Sequence, residues 1–100
     1  MAENKLASYL GLARRAGKLT LGVNAVAACK GDVFLLVADE AASDNTKKEI
    51  EKLKRRLGCP IVWTERLEAL TGKAECKLTA VRERNLADAI LRTCEGNQSL

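Results

Sequence analysis

A run of six apolar residues, VFLLVA at positions 33–38, is the feature that most constrains how this chain can fold. The run has the length of a β-strand, and it lacks the polar–apolar alternation of a strand with one solvated face. A strand without that alternation is covered on both faces. The run therefore predicts a central strand in a sheet that carries helices on each side.

Helix and strand patterns alternate along the whole chain. Further strands are predicted at residues 18–21, 61–64 and 77–81. We expect four helices to begin at polar caps, which are Asn4, Thr46, Thr64 and Asn85. A fifth, shorter helix is expected from Gly22 to about Lys30, and residues 96–100 are expected to form a frayed tail. Strict alternation over 100 residues predicts one α/β domain, a single sheet between helices.

The four cysteines predict neither a disulfide framework nor a metal site. Cys29, Cys59, Cys76 and Cys94 form no Cys-x-x-Cys pair, and the sequence contains no histidine to complete a zinc site. We expect reduced thiols that serve as small apolar residues, with no bound metal or cofactor. The chain also has no apolar stretch near 20 residues and no leader pattern, so we expect a cytoplasmic protein outside the membrane.

The positive charge is concentrated in the first third of the chain. Residues 1–31 hold five cations and one acid, whereas residues 32–58 and 59–100 each hold six cations and six acids. A localised excess favours a polyanionic partner, nucleic acid rather than membrane. The alternative is that the charge serves only solubility.

Residues 12–28 place cations beside two backbone breaks. Arg14, Arg15 and Lys18 flank Gly17, and Gly22 is followed by Asn24 near the start of the next helix. Helix starts favour anions, and glycine lets a ligand approach the backbone. This stretch is our candidate working surface. The alternatives are a turn glycine that needs positive φ at Gly22, an N-cap at Asn24 and plain surface charge at the cations.

Catalysis finds no support in the sequence. Gly17-Lys18 fails the phosphate-loop pattern in spacing and context, and no histidine is present to act as a base. Asp39 and Glu40 are adjacent at a strand end, where acids usually serve as caps. Because the chain has one Trp, one Tyr and one Phe, it also has little means of stacking single-stranded bases. We expect a protein that is not an enzyme.

Four segments together resemble one protein family along nearly the whole chain. They are LGLARRAGKLTLG, VFLLVADEAASDNTKKEIEKL, CPIVWTERLEALTGK and AVRERNLADAI. The family is YlxQ, the small bacterial relatives of the kink-turn-binding ribosomal proteins. The resemblance implies a three-layer α-β-α sandwich with a four-stranded mixed sheet. It also implies RNA binding without catalysis.

The resemblance further implies which residues meet RNA. Larger relatives contact sheared G·A pairs of a sharply bent duplex through Gly-x-Asn-Glu-x-x-Lys, and a loop before the last strand covers a flipped-out base. Here Gly22 and Asn24 match, while Ala25 and Ala28 replace the Glu and the Lys. The loop corresponds to residues 73–76.

Two functional hypotheses follow. The first is a monomeric structured-RNA binder, associated with the ribosome or another ribonucleoprotein. Its expected RNA-binding residues are Arg14, Arg15, Lys18, Gly22, Asn24, Lys73, Ala74, Glu75 and Cys76. The second is a protein-interaction module on the same fold, favoured by the small residues at the start of the second helix.

Overall fold

The computed structural model describes the backbone of residues 2–98 and the side chains of residues 5–93, and within these limits it contains nine elements. The helices are α1 (Ala2–Arg15), α2 (Val23–Ala27), α3 (Asp44–Leu57), α4 (Leu67–Thr71) and α5 (Arg84–Gln98). The strands are β1 (Leu19–Leu21), β2 (Leu35–Asp39), β3 (Ile61–Thr64) and β4 (Leu78–Val81). The predicted alternation of helix and strand is confirmed. None of the helices described is long and apolar enough to cross a membrane.

The four strands form one mixed sheet in the order β1-β4-β2-β3. β2 and β3 run parallel, joined by a crossover through α3, whereas β4 is antiparallel to both β1 and β2. The pairing of Leu35 with Val81 and of Leu36 with Ile61 places β2 inside the sheet. All five residues of β2 are buried, so the central position predicted from the apolar run is confirmed.

Two hydrophobic clusters fill the space between the sheet and its two helical layers. Leu35 and Val37 of β2 face the cluster that holds residues of α1, α4 and α5. Leu36 and Ala38 face the cluster that holds residues of α2 and α3. Alternate side chains of one strand therefore enter opposite cores. The architecture is the expected α-β-α sandwich with a four-stranded mixed sheet.

Three helices, α1, α3 and α5, begin earlier in the chain than the sequence predicted. Ser43 caps α3, because its hydroxyl oxygen accepts a hydrogen bond from the Thr46 N–H at 3.2 Å. Thr46 therefore lies inside the first turn, and its assignment as the cap is wrong. α1 begins at Ala2, so Asn4 lies within the helix and not in front of it.

The caps of α4 and α5 are carboxylates. The Glu83 side chain accepts hydrogen bonds from the N–H groups of Asn85 (3.1 Å) and Leu86 (2.7 Å), so the prediction of Asn85 as the cap is wrong. The first N–H of α4, at Leu67, donates to Asp39 Oδ2 at 3.1 Å, and Thr64 is not its cap. The prediction relied on the local preference of Asn and Thr for cap positions. The acceptor for the first N–H of α4 is instead Asp39 of β2, which lies far away in the sequence.

Helix ends match the sequence where glycine takes a left-handed conformation. Gly17 has φ 71°, and the Lys18 N–H donates to the Ala13 carbonyl at 2.8 Å, which closes α1 with a Schellman turn. Gly58 closes α3 in the same region, with φ 64°. α5 continues through Gln98, so the expected tail is wrong for residues 96–98, while Ser99 and Leu100 lie outside the described residues.

Candidate functional site

An open cleft of about 430 Å³ lies between the β1–α2 turn, the first turn of α3 and the segment that joins α4 to β4. It is lined by Leu21, Gly22, Val23, Asn24, Ala25, Thr46, Lys73, Glu75 and Lys77. Four residues that the sequence analysis singled out, Gly22, Asn24, Lys73 and Glu75, therefore share one surface. The antiparallel pairing of β1 with β4 brings the two segments together, since each lies at an end of one of these strands.

The backbone conformation at Gly22 is one that residues with a side chain rarely adopt. Gly22 has φ 97°, and its N–H donates to the Leu78 carbonyl at 2.8 Å. A Cβ at this position would lie 3.3 Å from Lys73 Nζ, which itself donates to the Leu21 carbonyl at 3.4 Å. The turn therefore requires glycine for its positive φ, and it also holds the Lys73 ammonium group against the backbone.

The short helix α2 presents one side to the cleft. Gly22 occupies the N-cap position without a side-chain cap, so Asn24 lies inside the helix and is not its cap. The Ala28 N–H is shared between the Asn24 and Ala25 carbonyls, at 3.2 Å each, so Ala28 lies one helical turn after these two residues. All three are exposed, whereas Val26 is fully buried beneath them.

α2 ends at Ala27, three residues before the predicted end near Lys30. Arg56 of α3 satisfies the carbonyls at this end, since its Nη2 donates to Ala27 at 2.7 Å and to Cys29 at 3.0 Å. A single guanidinium group therefore joins the end of α2 to the end of α3. This contact fixes the helix that carries Asn24.

A tight turn carries the second wall of the cleft. Gly72 and Glu75 both have positive φ, 75° and 58°. The Glu75 N–H donates to the Glu68 carboxylate at 2.9 Å, which ties the turn back to α4. Lys73, Ala74 and Glu75 are exposed as a result.

Cys76 is the predicted site residue that the structure moves to the core. Only 1% of its surface is exposed, and its thiol donates to the Leu78 carbonyl at 3.4 Å. Its N–H donates to the Lys73 carbonyl, so the chain turns inward here and enters β4. The prediction of Cys76 as a surface contact is wrong, because its small apolar side chain fills the cluster under α1, α4 and α5.

Lys77 lines the cleft but was missed by the sequence analysis, although it directly follows the predicted segment 73–76. Its Nζ lies 3.8 Å from Oδ2 of the buried Asp39. The same carboxylate accepts hydrogen bonds from the Ala41 N–H at 2.8 Å and from the Leu67 N–H. Asp39 is therefore a cap, as expected for an acid at a strand end, and neighbouring Glu40 is exposed.

The basic residues at the end of α1 lie outside the lining of the cleft. Arg14 reaches across to α4, where its Nη1 donates to the Thr71 carbonyl. The same nitrogen lies 3.4 Å from the position of a Cβ on Gly72, directly before the turn. Arg15 and Lys18 are exposed.

The lining of the cleft is polar and of mixed charge. Lys73 and Lys77 contribute ammonium groups, Glu75 contributes a carboxylate, and the exposed Asn24 amide can both donate and accept hydrogen bonds. Among the residues that the structure describes, no group of three or more His, Cys, Asp or Glu side chains is arranged to hold a metal ion.

Three cysteines within the described residues, Cys29, Cys59 and Cys76, are free thiols. Burial raises the pKa of the Cys59 thiol above its ordinary value, although a backbone hydrogen bond and the charge of Lys54 oppose the shift. The side chain of Cys94 lies outside the described residues.

Comparison with known proteins supports the fold. No model of a known protein family matches the sequence, and no curated protein matches it. A solved structure of a protein of unknown function from Bacillus halodurans C is similar, with a TM-score of 0.73 and 26% sequence identity over 90% of this chain and 96% of the other. A second natural sequence therefore adopts this architecture over almost its full length.

Proposed function

We propose that this protein binds structured RNA of the kink-turn type, without catalysis, as a member of the YlxQ relatives of the ribosomal proteins. The observation that carries the proposal is the cleft. It joins Gly22 and Asn24 to Lys73 and Glu75, from segments about fifty residues apart in the chain. These are the two segments that the resemblance assigns to the bent duplex and to the flipped-out base. The expected setting is the ribosome or another ribonucleoprotein in the cytoplasm.

The chemistry of the cleft supports an RNA ligand. Ammonium groups of Lys73 and Lys77 suit phosphates, whereas the Asn24 amide can hydrogen-bond a base edge. Exposed Ala74 adds a small side chain that can cover a displaced base. Recognition of this kind depends on the shape of the RNA and on a few polar contacts, which agrees with the low aromatic content of the chain.

The basic end of α1 extends this surface beyond the cleft. Arg14 lies against the end of α4, directly before the turn that carries Lys73. Exposed Arg15 and Lys18 adjoin it in the chain. We assign phosphate contacts to these three cations.

A protein-interaction module is the second candidate. Ala25, Ala27 and Ala28 are exposed on α2, and Leu12 of α1 is 46% exposed. These apolar side chains offer no charge and no hydrogen bond to a phosphate, and the small alanines leave α2 a flat surface on which a partner protein can dock. The two candidates differ in whether the face of α2 meets a kink-turn.

Restoring the two missing charges of the motif tests the proposal. Ala25→Glu together with Ala28→Lys should tighten binding to a standard kink-turn and leave binding to an unbent duplex unchanged. Both positions are exposed and one turn apart, so a Glu can accept from guanine amino groups while a Lys reaches a base edge or phosphate. Charge-assisted hydrogen bonds are typically worth about 1.5–3 kcal/mol each, so the two together should give a gain of roughly a hundredfold or more in a gel-shift titration.

The swapped pair, Ala25→Lys with Ala28→Glu, is the matched control. It has the same net charge, and both residues are good helix formers. Equal affinity of the wild type, the restored pair and the swapped pair, with the fold verified by circular dichroism, would contradict an RNA-facing α2. The protein-interaction module would then be favoured.

A further inference from the structure

A second basic surface lies on the exposed side of α3. This helix holds six cations and three acids, a net charge of +3. A count of charges over residues 32–58 does not reveal this excess. Asp32, Asp39 and Glu40 lie outside the helix, but they bring the net charge of that segment to zero. A shallow groove of about 410 Å³ runs over this side, lined by Lys47, Lys48, Glu51, Lys52 and Arg55.

The groove and the cleft both reach the first turn of α3. Thr46 lines the cleft and Lys47, the next residue, lines the groove. At about 1.5 Å per residue, the cations from Lys47 to Arg55 extend roughly 12 Å along the helix axis, the length of several phosphates on one strand. Lys47 Nζ lies 6.0 Å from the centre of the Trp63 ring, a cation–π contact at the end of the groove nearest the start of α3.

We propose that the cations bordering this groove, Lys47, Lys48, Lys52 and Arg55, bind the phosphate backbone of an RNA helix that extends from the kink held in the cleft. The proposal rests on the proposed function and adds a second contact surface to it. Lysine and arginine side chains bind phosphates without reading sequence, so this contact depends on the length of the RNA arm and not on its bases.

The packing of α3 favours RNA over a lipid surface. Its apolar residues Ile50 and Leu53 are buried against the sheet, and they are not available to enter a bilayer. Interfacial helices bind membranes by inserting such an apolar side. A membrane would therefore meet only the charged side of this helix.

Two RNAs that share one kink-turn provide the test. One has its arms cut to a few base pairs, and the other carries long arms on both sides of the kink. Lys48→Ala with Lys52→Ala should leave the affinity for the short RNA unchanged and weaken binding of the long RNA. Loss of two phosphate contacts should flatten its log–log salt slope by roughly 1.4–1.8. Lys48→Arg with Lys52→Arg should retain the wild-type slope.

Lys5→Ala with Arg92→Ala is the matched control, because it removes two exposed cations from the opposite helical layer. Equal flattening by both double variants would overturn the inference in favour of net charge alone. An unchanged slope with the α3 variant, while the short RNA still binds, would overturn this inference and leave the proposed function in place. Failure of the wild type to bind either RNA would overturn both. Binding to phosphatidylserine vesicles that is lost in the α3 variant, with long-RNA binding retained, would assign the groove to a membrane.

Discussion

Asp39 shows how one buried carboxylate can organise several elements. Asp39 is the last residue of β2. Its carboxylate accepts hydrogen bonds from the N–H groups of Ala41 and of Leu67, at the start of α4, and it lies beside Lys77 in the cleft. A carboxylate that is 2% exposed is stable there because hydrogen-bond donors surround it. The link from the core to the candidate site therefore passes through a single side chain.

Asp39→Ala should lower the free energy of unfolding by about 2–4 kcal/mol, because two backbone N–H groups lose their acceptor. We count the ion pair with Lys77 as a small part of this loss, since the Lys77 side chain is 35% exposed. Asp39→Asn retains one oxygen acceptor and should cost about half as much. Urea unfolding measures each value.

Glu40→Ala is the control for this prediction, because Glu40 is the exposed neighbour and has the same carboxylate chemistry. It should change stability by less than about 0.5 kcal/mol. Equal losses for Asp39→Ala and Glu40→Ala would show that the cap of α4 adds nothing to stability.

The helix α2 depends on its neighbours for stability. Five residues are too few for a helix to be stable alone, and α2 is held by buried Val26 and by the two hydrogen bonds from Arg56. The exposed side with Asn24 and Ala25 is thus positioned by a residue on another helix. The hydrogen bonds from Arg56 therefore also fix the surface that a ligand of α2 would contact.

Arg56→Ala should loosen α2 without unfolding the chain. Two carbonyls lose their donor, so we expect a loss of about 1–2 kcal/mol. Faster amide hydrogen exchange should appear at Val26 and Ala28, whose N–H groups donate within this turn. Arg55→Ala, an exposed arginine on the same helix, should leave that exchange unchanged. Equal amide exchange rates in the two variants would show that the hydrogen bonds from Arg56 do not hold α2.

Element order and strand positions could be predicted because their signals are local. Apolar runs set the strands, and Gly17 and Gly58 mark helix ends through their own backbone angles. The caps could not be predicted in the same way. The acceptor for Leu67 comes from Asp39, 28 residues away, and no short-range pattern encodes that contact. The prediction of Cys76 as a surface contact was wrong for a related reason, since its burial depends on where α1, α4 and α5 pack.

For the whole molecule, two cysteines report separately on the two cores. Cys59 lies in the cluster under α2 and α3, whereas Cys76 lies in the cluster under α1, α4 and α5. Cys29 is only half-buried, against the edge of the first of these clusters. Among the described side chains, Cys29 is therefore an accessible thiol, and Cys59 and Cys76 are protected thiols on opposite sides of the sheet.

Thiol labelling of the native protein at pH 8 should modify Cys29 quickly and Cys59 and Cys76 slowly, with peptide mass spectrometry identifying each site. Burial raises the pKa of Cys59, so its folded-state thiol stays protonated and unreactive at this pH. That protonated form contributes stability that is lost as the pH rises above the ordinary thiol pKa, because the unfolded chain ionises first.

Equal opening free energies at Cys59 and Cys76 are expected if the sheet and both layers unfold as one unit. Labelling in 1–2 M urea provides the comparison. A markedly lower value at one cysteine would mean that its layer opens independently.

The cleft could be predicted in part. Sequence patterns singled out both of its walls, the residues around Gly22 and the segment beginning at Lys73, yet charge counting assigned the basic excess to the first third alone. Charge counted along the chain mixes buried and exposed groups. Folding separates them, because Asp39 enters the core while the cations of α3 remain on the surface.

The position of β4 has a consequence for the order of events during synthesis. Within the described residues, β4 is the strand that joins β1 to β2, and its pairing of Leu19 with Val81 spans most of the chain. A nascent chain that ends before Leu78 therefore holds β1 unattached and β2 with one open edge. Such contacts between distant residues slow folding, because a long loop must close before any pairing compensates for it. The sheet, and with it the cleft, is completed only after β4 has been synthesised and has left the ribosome.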